Sequence, residues 1–134
     1  MTFSEISRLI RLSNLVIVWG TQMLTWFCLL LPLSVITEQP LFLSAPKAVL
    51  LSLSTVLIAA GGYVINDYFD VKIDAINRPE KSLIGKDINP KAAILIHNFC
   101  NIAGLIIAAL LAYQLNSPAA FAIPFTSSIL LWFY

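Results

Sequence analysis

The sequence predicts an all-α protein, a polytopic transmembrane helical bundle. Three observations lead there. Of its 134 residues, 59% are apolar and 11% charged, a balance typical of membrane proteins. The charges are also segregated: none falls in Leu12–Thr37, Ala48–Asn66 or Ala92–Tyr134. Each run meets the roughly 20 residues that a helix needs to cross a bilayer core, and the last is long enough for two. A net charge of +1 gives no reason to expect a nucleic-acid partner.

Taken in order, residues 1–11 form a short polar start carrying Glu5, Arg8 and Arg11. Span one follows at about 12–36, with Pro32 near its exit. It is too long for a signal-peptide core and lacks a small-residue cleavage site, so it is expected to remain as a membrane span. Pro40 and Pro46 break the chain in a short loop. Span two occupies about 48–69 and runs into an acidic stretch, and a polar loop extends over 70–91. Span three covers about 92–115. Asn116-Ser117-Pro118 signals a turn, and a fourth, incomplete span runs over 119–134. Cys28 and Cys100 lie inside spans, where they are expected to serve as small packing residues rather than as a disulfide. Small residues at Ala59-Ala60-Gly61-Gly62 and at Gly104, Ala108 and Ala112 predict close helix packing.

Lys and Arg orient the spans. The amino-terminal segment holds Arg8 and Arg11, and the 70–91 loop holds Lys72, Arg78, Lys81, Lys86 and Lys91. The first loop has Lys47 and the Asn116 turn has no Lys or Arg. The amino terminus and the 70–91 loop are therefore expected on the cytoplasmic side of a multi-pass integral membrane protein.

The chemistry concentrates in Asn66-Asp67-Tyr68-Phe69-Asp70-Val71-Lys72-Ile73-Asp74. At about 100° per residue, Asp67, Asp70 and Asp74 fall within about 60° of one helical face. Three clustered carboxylates repel one another unless a cation sits among them. Mg²⁺ suits the place, because it is held by one or two carboxylates together with substrate phosphates. Asn66 adds a neutral oxygen donor. The alternative is a solvated helix end that merely marks the membrane boundary, although acids at a helix carboxyl end oppose the macrodipole. Arg78 and Lys81 suit phosphate oxygens, yet the positive-inside bias alone also accounts for cations there. Asn14 has two readings as well, a polar pocket or a neighbouring helix. His97, the only histidine, is read as a hydrogen-bonded structural residue in preference to a base.

The stretch Val64-Ile65-Asn66-Asp67-Tyr68-Phe69-Asp70, continuing through Asp74-Ala75-Ile76-Asn77-Arg78-Pro79, resembles the first aspartate-rich motif of the UbiA superfamily of intramembrane prenyltransferases. Ala59-Ala60-Gly61-Gly62-Tyr63 and the Arg11…Asn14 start of span one are similar to that family too. The wording Ile73–Pro79 most resembles its ether-lipid branch, which prenylates geranylgeranylglyceryl phosphate. The resemblance implies a fold of about nine helices around a polar cavity, in a bilayer where helices satisfy their own backbone. It implies two aspartate-rich segments that bind Mg²⁺ and clamp an allylic prenyl diphosphate, for transfer to a lipid or aromatic acceptor. Carried over, Asn66, Asp70 and Asp74 match the metal-binding positions, with Asp67 adjacent and catalytic with them. Arg78 and Lys81 fall where the family has basic residues near the diphosphate. The chain departs from many relatives in reading Lys81-Ser82-Leu83-Ile84-Gly85 after Arg78-Pro79-Glu80, and it carries no second acidic motif. It is thus expected to be the amino-terminal part of a longer enzyme, inactive alone. Two other classes compete: a small four-span membrane subunit that binds divalent cations without catalysis, and a transporter fragment. The latter lacks the midplane charges and broken helices expected of it.

Overall fold

The computed structural model of the chain describes residues 2–71, 73, 76 and 83–133. Its helices are α1 (Phe3–Leu9), α2 (Leu12–Ile36), α3 (Ala45–Phe69), α4 (Pro90–Leu115) and α5 (Ala119–Phe133). The described residues contain no strand, only an isolated bridge between Ile84 and Ile88. Three helices, α2, α3 and α4, are long and apolar enough to cross a membrane. This is an integral membrane helical bundle. α5 is also apolar but spans 15 residues, short of the length that crosses a bilayer core.

Within the expected polar start, the chain forms α1. Thr2 accepts from the Glu5 N–H at 3.3 Å, and Glu5 Oε2 accepts from the Thr2 N–H at 2.8 Å. That reciprocal pair satisfies two donors that a helix start leaves open. α3 begins at Ala45 rather than 48 and α4 at Pro90 rather than 92, because proline at Pro46 and Pro90 opens a helix at no hydrogen-bond cost. α2 stays helical through Pro32 by widening upstream: Trp26–Leu30 is π-helical, with the Leu31 N–H donating to the Trp26 carbonyl. Such a wide turn is a common way to absorb a proline. Cys28 lies on this segment and is exposed, contrary to the packing role expected of it; Cys100 is buried as expected.

α3 is central, packed against α4 along its length and flanked by α2 and α5. Half of its most apolar window is buried, against 6% for α2. α2 therefore turns Val16, Ile17, Leu24 and Phe27 outward, the apolar surface that lipid would cover. In lipid, close packing and interhelical hydrogen bonds replace the hydrophobic drive. The bundle uses both. A Cβ at Gly104 would lie 2.8 Å from Ile58 Cγ1, and one at Gly62 would lie 2.9 Å from Leu131 Cδ1. Ser52 Oγ donates to Gln22 Oε1 at 2.9 Å, joining α3 to α2.

Where the sequence predicts a polar loop, Leu83, Ile84 and Ile88 are buried with Leu9 of α1, Val64 of α3 and Ala93 of α4. The turn closes through Gly85, whose φ of +89° is open to glycine and strained for other residues. The Gly85 N–H donates to the Ile88 carbonyl at 2.8 Å. One end of the bundle is thus capped by α1 and this turn. At the other end, Trp26 Nε1 donates to the Leu43 carbonyl at 2.7 Å, pinning the short loop.

Candidate functional site

The capped end also holds the acidic motif. α3 stops at Phe69, and Asp70 forms its carboxyl cap with φ −81° and ψ −2°. Its N–H donates to the Asn66 carbonyl at 3.0 Å. The side chains meet as well, with Asn66 Nδ2 donating to Asp70 Oδ2 at 2.9 Å. Asp67 points to another partner: Arg11 Nη2 lies 2.7 Å from its Oδ1. The same guanidinium stands 5.1 Å from the centre of the Tyr63 ring, a cation–π distance.

An open cavity of about 970 Å³ lies here, lined by Arg8, Arg11, Asn14, Asp67, Asp70 and Leu83, with α1 and α2 residues between them. The tertiary structure therefore brings Asn14 of α2 to the acidic end of α3. It also recruits Arg8, expected only to orient the spans, and Arg11, which besides orientation entered the family resemblance with Asn14. Their proximity in sequence to Asn14, at the polar edge of a span, was the available signal. Asp74, Arg78 and Lys81 lie outside the described residues. α3 ends at Phe69, and the helical face expected through Asp74 reaches beyond the described residues.

Among the described residues, no group of three His, Cys, Asp or Glu is arranged to hold a metal. Two oxygen-bearing groups are nonetheless adjacent. With its nitrogen donating to Asp70, the Asn66 amide has its oxygen as acceptor, next to a carboxylate. Hard oxygen donors of this kind fit Mg²⁺, whose remaining positions go to water or phosphate. Asn66 and Asp70 would hold it.

His97 takes no part in this cavity. It is buried on α4, where its Nδ1 lies 2.9 Å from the Gly61 carbonyl. A carbonyl can only accept, so Nδ1 carries the proton. Asn101 Nδ2 donates to the His97 carbonyl at 3.0 Å, and Ser128 Oγ donates to Asn101 Oδ1 at 2.6 Å. The Trp132 ring lies 5.2 Å from the imidazole. The histidine joins α3, α4 and α5, as its structural reading anticipates.

Compared with known proteins, residues 24–134 match the model of the UbiA prenyltransferase family. The chain belongs to that family. Among similar UbiA-type relatives, a digeranylgeranylglyceryl phosphate synthase from Methanosarcina barkeri is 37% identical over 97 residues, 72% of this chain and 30% of that protein. Proteins of the same name from Methanothrix thermoacetophila and Methanopyrus kandleri are 44% identical over 63 residues and 32% over 87. Those matches cover 47% and 65% of this chain, and 24% and 30% of the relatives. The chain thus spans less than a third of the relatives' length in these matches. No solved structure matches it significantly. Within the UbiA match lie α3 with Asn66, Asp67 and Asp70, whereas Arg8, Arg11 and Asn14 precede it.

Proposed function

We propose that this chain forms one side of the diphosphate site of a Mg²⁺-dependent prenyltransferase. Its donor would be an allylic prenyl diphosphate, and its acceptor a glyceryl phosphate lipid of the kind named in its relatives. The observation that carries the reading is the convergence of Asp67, Asp70, Asn14, Arg8 and Arg11 on one cavity at the end of a membrane helix. Carboxylates alone would repel a diphosphate, and arginines alone would not favour a divalent ion. Together they suit a metal diphosphate.

In this reading Asn66 and Asp70 hold Mg²⁺, which, when bound, neutralises charge that grows on the departing diphosphate. Arg8 and Arg11 bind phosphate oxygens by charge-assisted hydrogen bonds. The allylic carbon–oxygen bond breaks with its electron pair leaving on the diphosphate. The acceptor hydroxyl then bonds to the allylic carbon and passes its proton to the departed diphosphate. Asn14 lies where it can orient the polar end of a substrate. Leu83, buried in the capping turn, helps exclude the water that would otherwise capture the cation. Arg78, Lys81 and Asp74 remain proposed partners from the adjoining stretch, and the charge distribution supports a cytoplasmic location for this end.

The test is prenyl transfer from geranylgeranyl diphosphate to geranylgeranylglyceryl phosphate by the full protein encoded with this chain, reconstituted in liposomes. Asp70→Asn is expected to lower turnover by about 100-fold, the scale of losing one charge-stabilising group. Turnover unchanged by Asp70→Asn, or by chelating Mg²⁺, would overturn the reading.

A further inference from the structure

Arg11 sits at the break between α1 and α2 in the left-handed region, with φ 52° and ψ 56°. A non-glycine residue holds that conformation only where its surroundings fix it. Two side chains of α3 hold the guanidinium. Asp67 takes an N–H at 2.7 Å, and the Tyr63 ring lies 5.1 Å away. Tyr63 and Asp67 are four residues apart and so share one face of the helix. A planar cation held by a carboxylate and a ring has its orientation set, which a flexible ammonium would not. The Arg11 side chain is nonetheless 43% exposed and lines the cavity. The contact with Asp67 engages one of five guanidinium N–H donors, so the fork still has donors for an incoming anion.

We propose that Asp67 is a positioning residue and not a metal ligand: it aims Arg11 at the diphosphate. This rests on the diphosphate reading above and divides the motif within it. Asp70 and Asn66 face a cation, while Asp67 serves the guanidinium. A partly exposed ion pair adds little to stability, so its consequence lies in where it puts the five donors.

Two measurements on the full protein encoded with this chain, in lipid nanodiscs, test this: calorimetric binding of inorganic pyrophosphate, in EDTA and in Mg²⁺, and Mn²⁺ affinity by electron paramagnetic resonance. Asp67→Asn and Arg11→Gln are each expected to weaken pyrophosphate binding in EDTA about tenfold, and the double variant no further, as coupled partners behave. Arg11→Lys, which keeps the charge and loses the fork, is expected to stay weak. Mn²⁺ affinity should fall with Asp70→Asn and hold within about twofold with Asp67→Asn. Tyr63→Leu, which leaves both charges, provides a milder variant expected to weaken pyrophosphate binding less than Arg11→Gln.

Loss of Mn²⁺ binding in Asp67→Asn equal to that in Asp70→Asn would make Asp67 a ligand and overturn the proposal. Tighter pyrophosphate binding in Asp67→Asn would also overturn it, by showing only repulsion. Mg²⁺-dependent capture indifferent to both Asp67→Asn and Arg11→Gln sinks this proposal alone. A full protein that captures no pyrophosphate in either condition sinks the diphosphate reading as well.

Discussion

Ser54 Oγ donates to the carbonyl of Gly104 at 2.8 Å, a buried hydrogen bond between α3 and α4. It forms because residue 104 has no side chain: a Cβ there would stand 3.0 Å from the Ser54 carbonyl oxygen and 2.8 Å from Ile58 Cγ1. The two helices approach at this point because a small residue and a hydroxyl face each other.

Gly104→Ala should therefore push α4 away from α3. The expected loss is about 1–3 kcal/mol, the usual result of overfilling a packed interface. Thermal unfolding in detergent, followed by circular dichroism, reads it. Ser54→Ala should cost less, about 0.6–1.7 kcal/mol, the range of hydrogen bonds between membrane helices. A Gly104→Ala protein as stable as the parent would refute the close contact.

The Asn101 amide links His97 on its own helix to Ser128 on α5. A Cβ at Gly61 would collide with that amide. Asn101→Leu should loosen α5, raising proteolysis near 119–133 while leaving pyrophosphate capture within about twofold, since the network lies apart from the cavity and distant sites act independently. Equal loss of both would place His97 and Asn101 in the functional site instead.

Glu5 lies below the usual carboxylate range because it accepts the Thr2 backbone N–H, with the Thr2 hydroxyl adding to the effect. A depressed folded value means that its contribution to α1 is present above the unfolded value of about 4.5 and lost as pH falls through the lower folded value. Amide exchange in α1 should accordingly rise as pH drops below about 4.5, after correction for intrinsic rates. Glu5→Gln should flatten that dependence.

Arg8 and Arg11 are exposed at the cavity, so their attraction for an anion is screened by salt. Pyrophosphate binding in EDTA should weaken from 0.01 to about 0.5 M NaCl as the screening length falls well below roughly 10 Å. Arg8→Gln should make that dependence shallower. A salt-independent affinity would place the anion elsewhere.

Much of this protein was legible as a sequence. Charge-free runs pointed to four spans, the last incomplete, and three of them are helices long and apolar enough to cross a bilayer, since lipid tolerates few unpaired charges and leaves a plain signature. Asn66, Asp67 and Asp70 were legible too, because acids at the end of an apolar helix need a reason, and their wording pointed to the family. Helix starts were less legible: Pro46 was expected only to break a loop, yet it and Pro90 open α3 and α4 two or three residues earlier than hydropathy indicates, because hydropathy does not register capping.

Other features depended on distance in the chain. Arg11 meets Asp67 across 56 positions, and a single cation carries no mark of the partner it will find. The burial of Leu83, Ile84 and Ile88 was hidden inside a polar loop, because their partners Leu9, Val64 and Ala93 come from other elements. Amino-acid order dictated which segments enter the membrane, through the local cost of charge and unpaired backbone in lipid. Asp70 meets the Asn66 amide one helical turn away, but only packing decided that Asp67 faces an arginine, because that contact belongs to helices meeting in space.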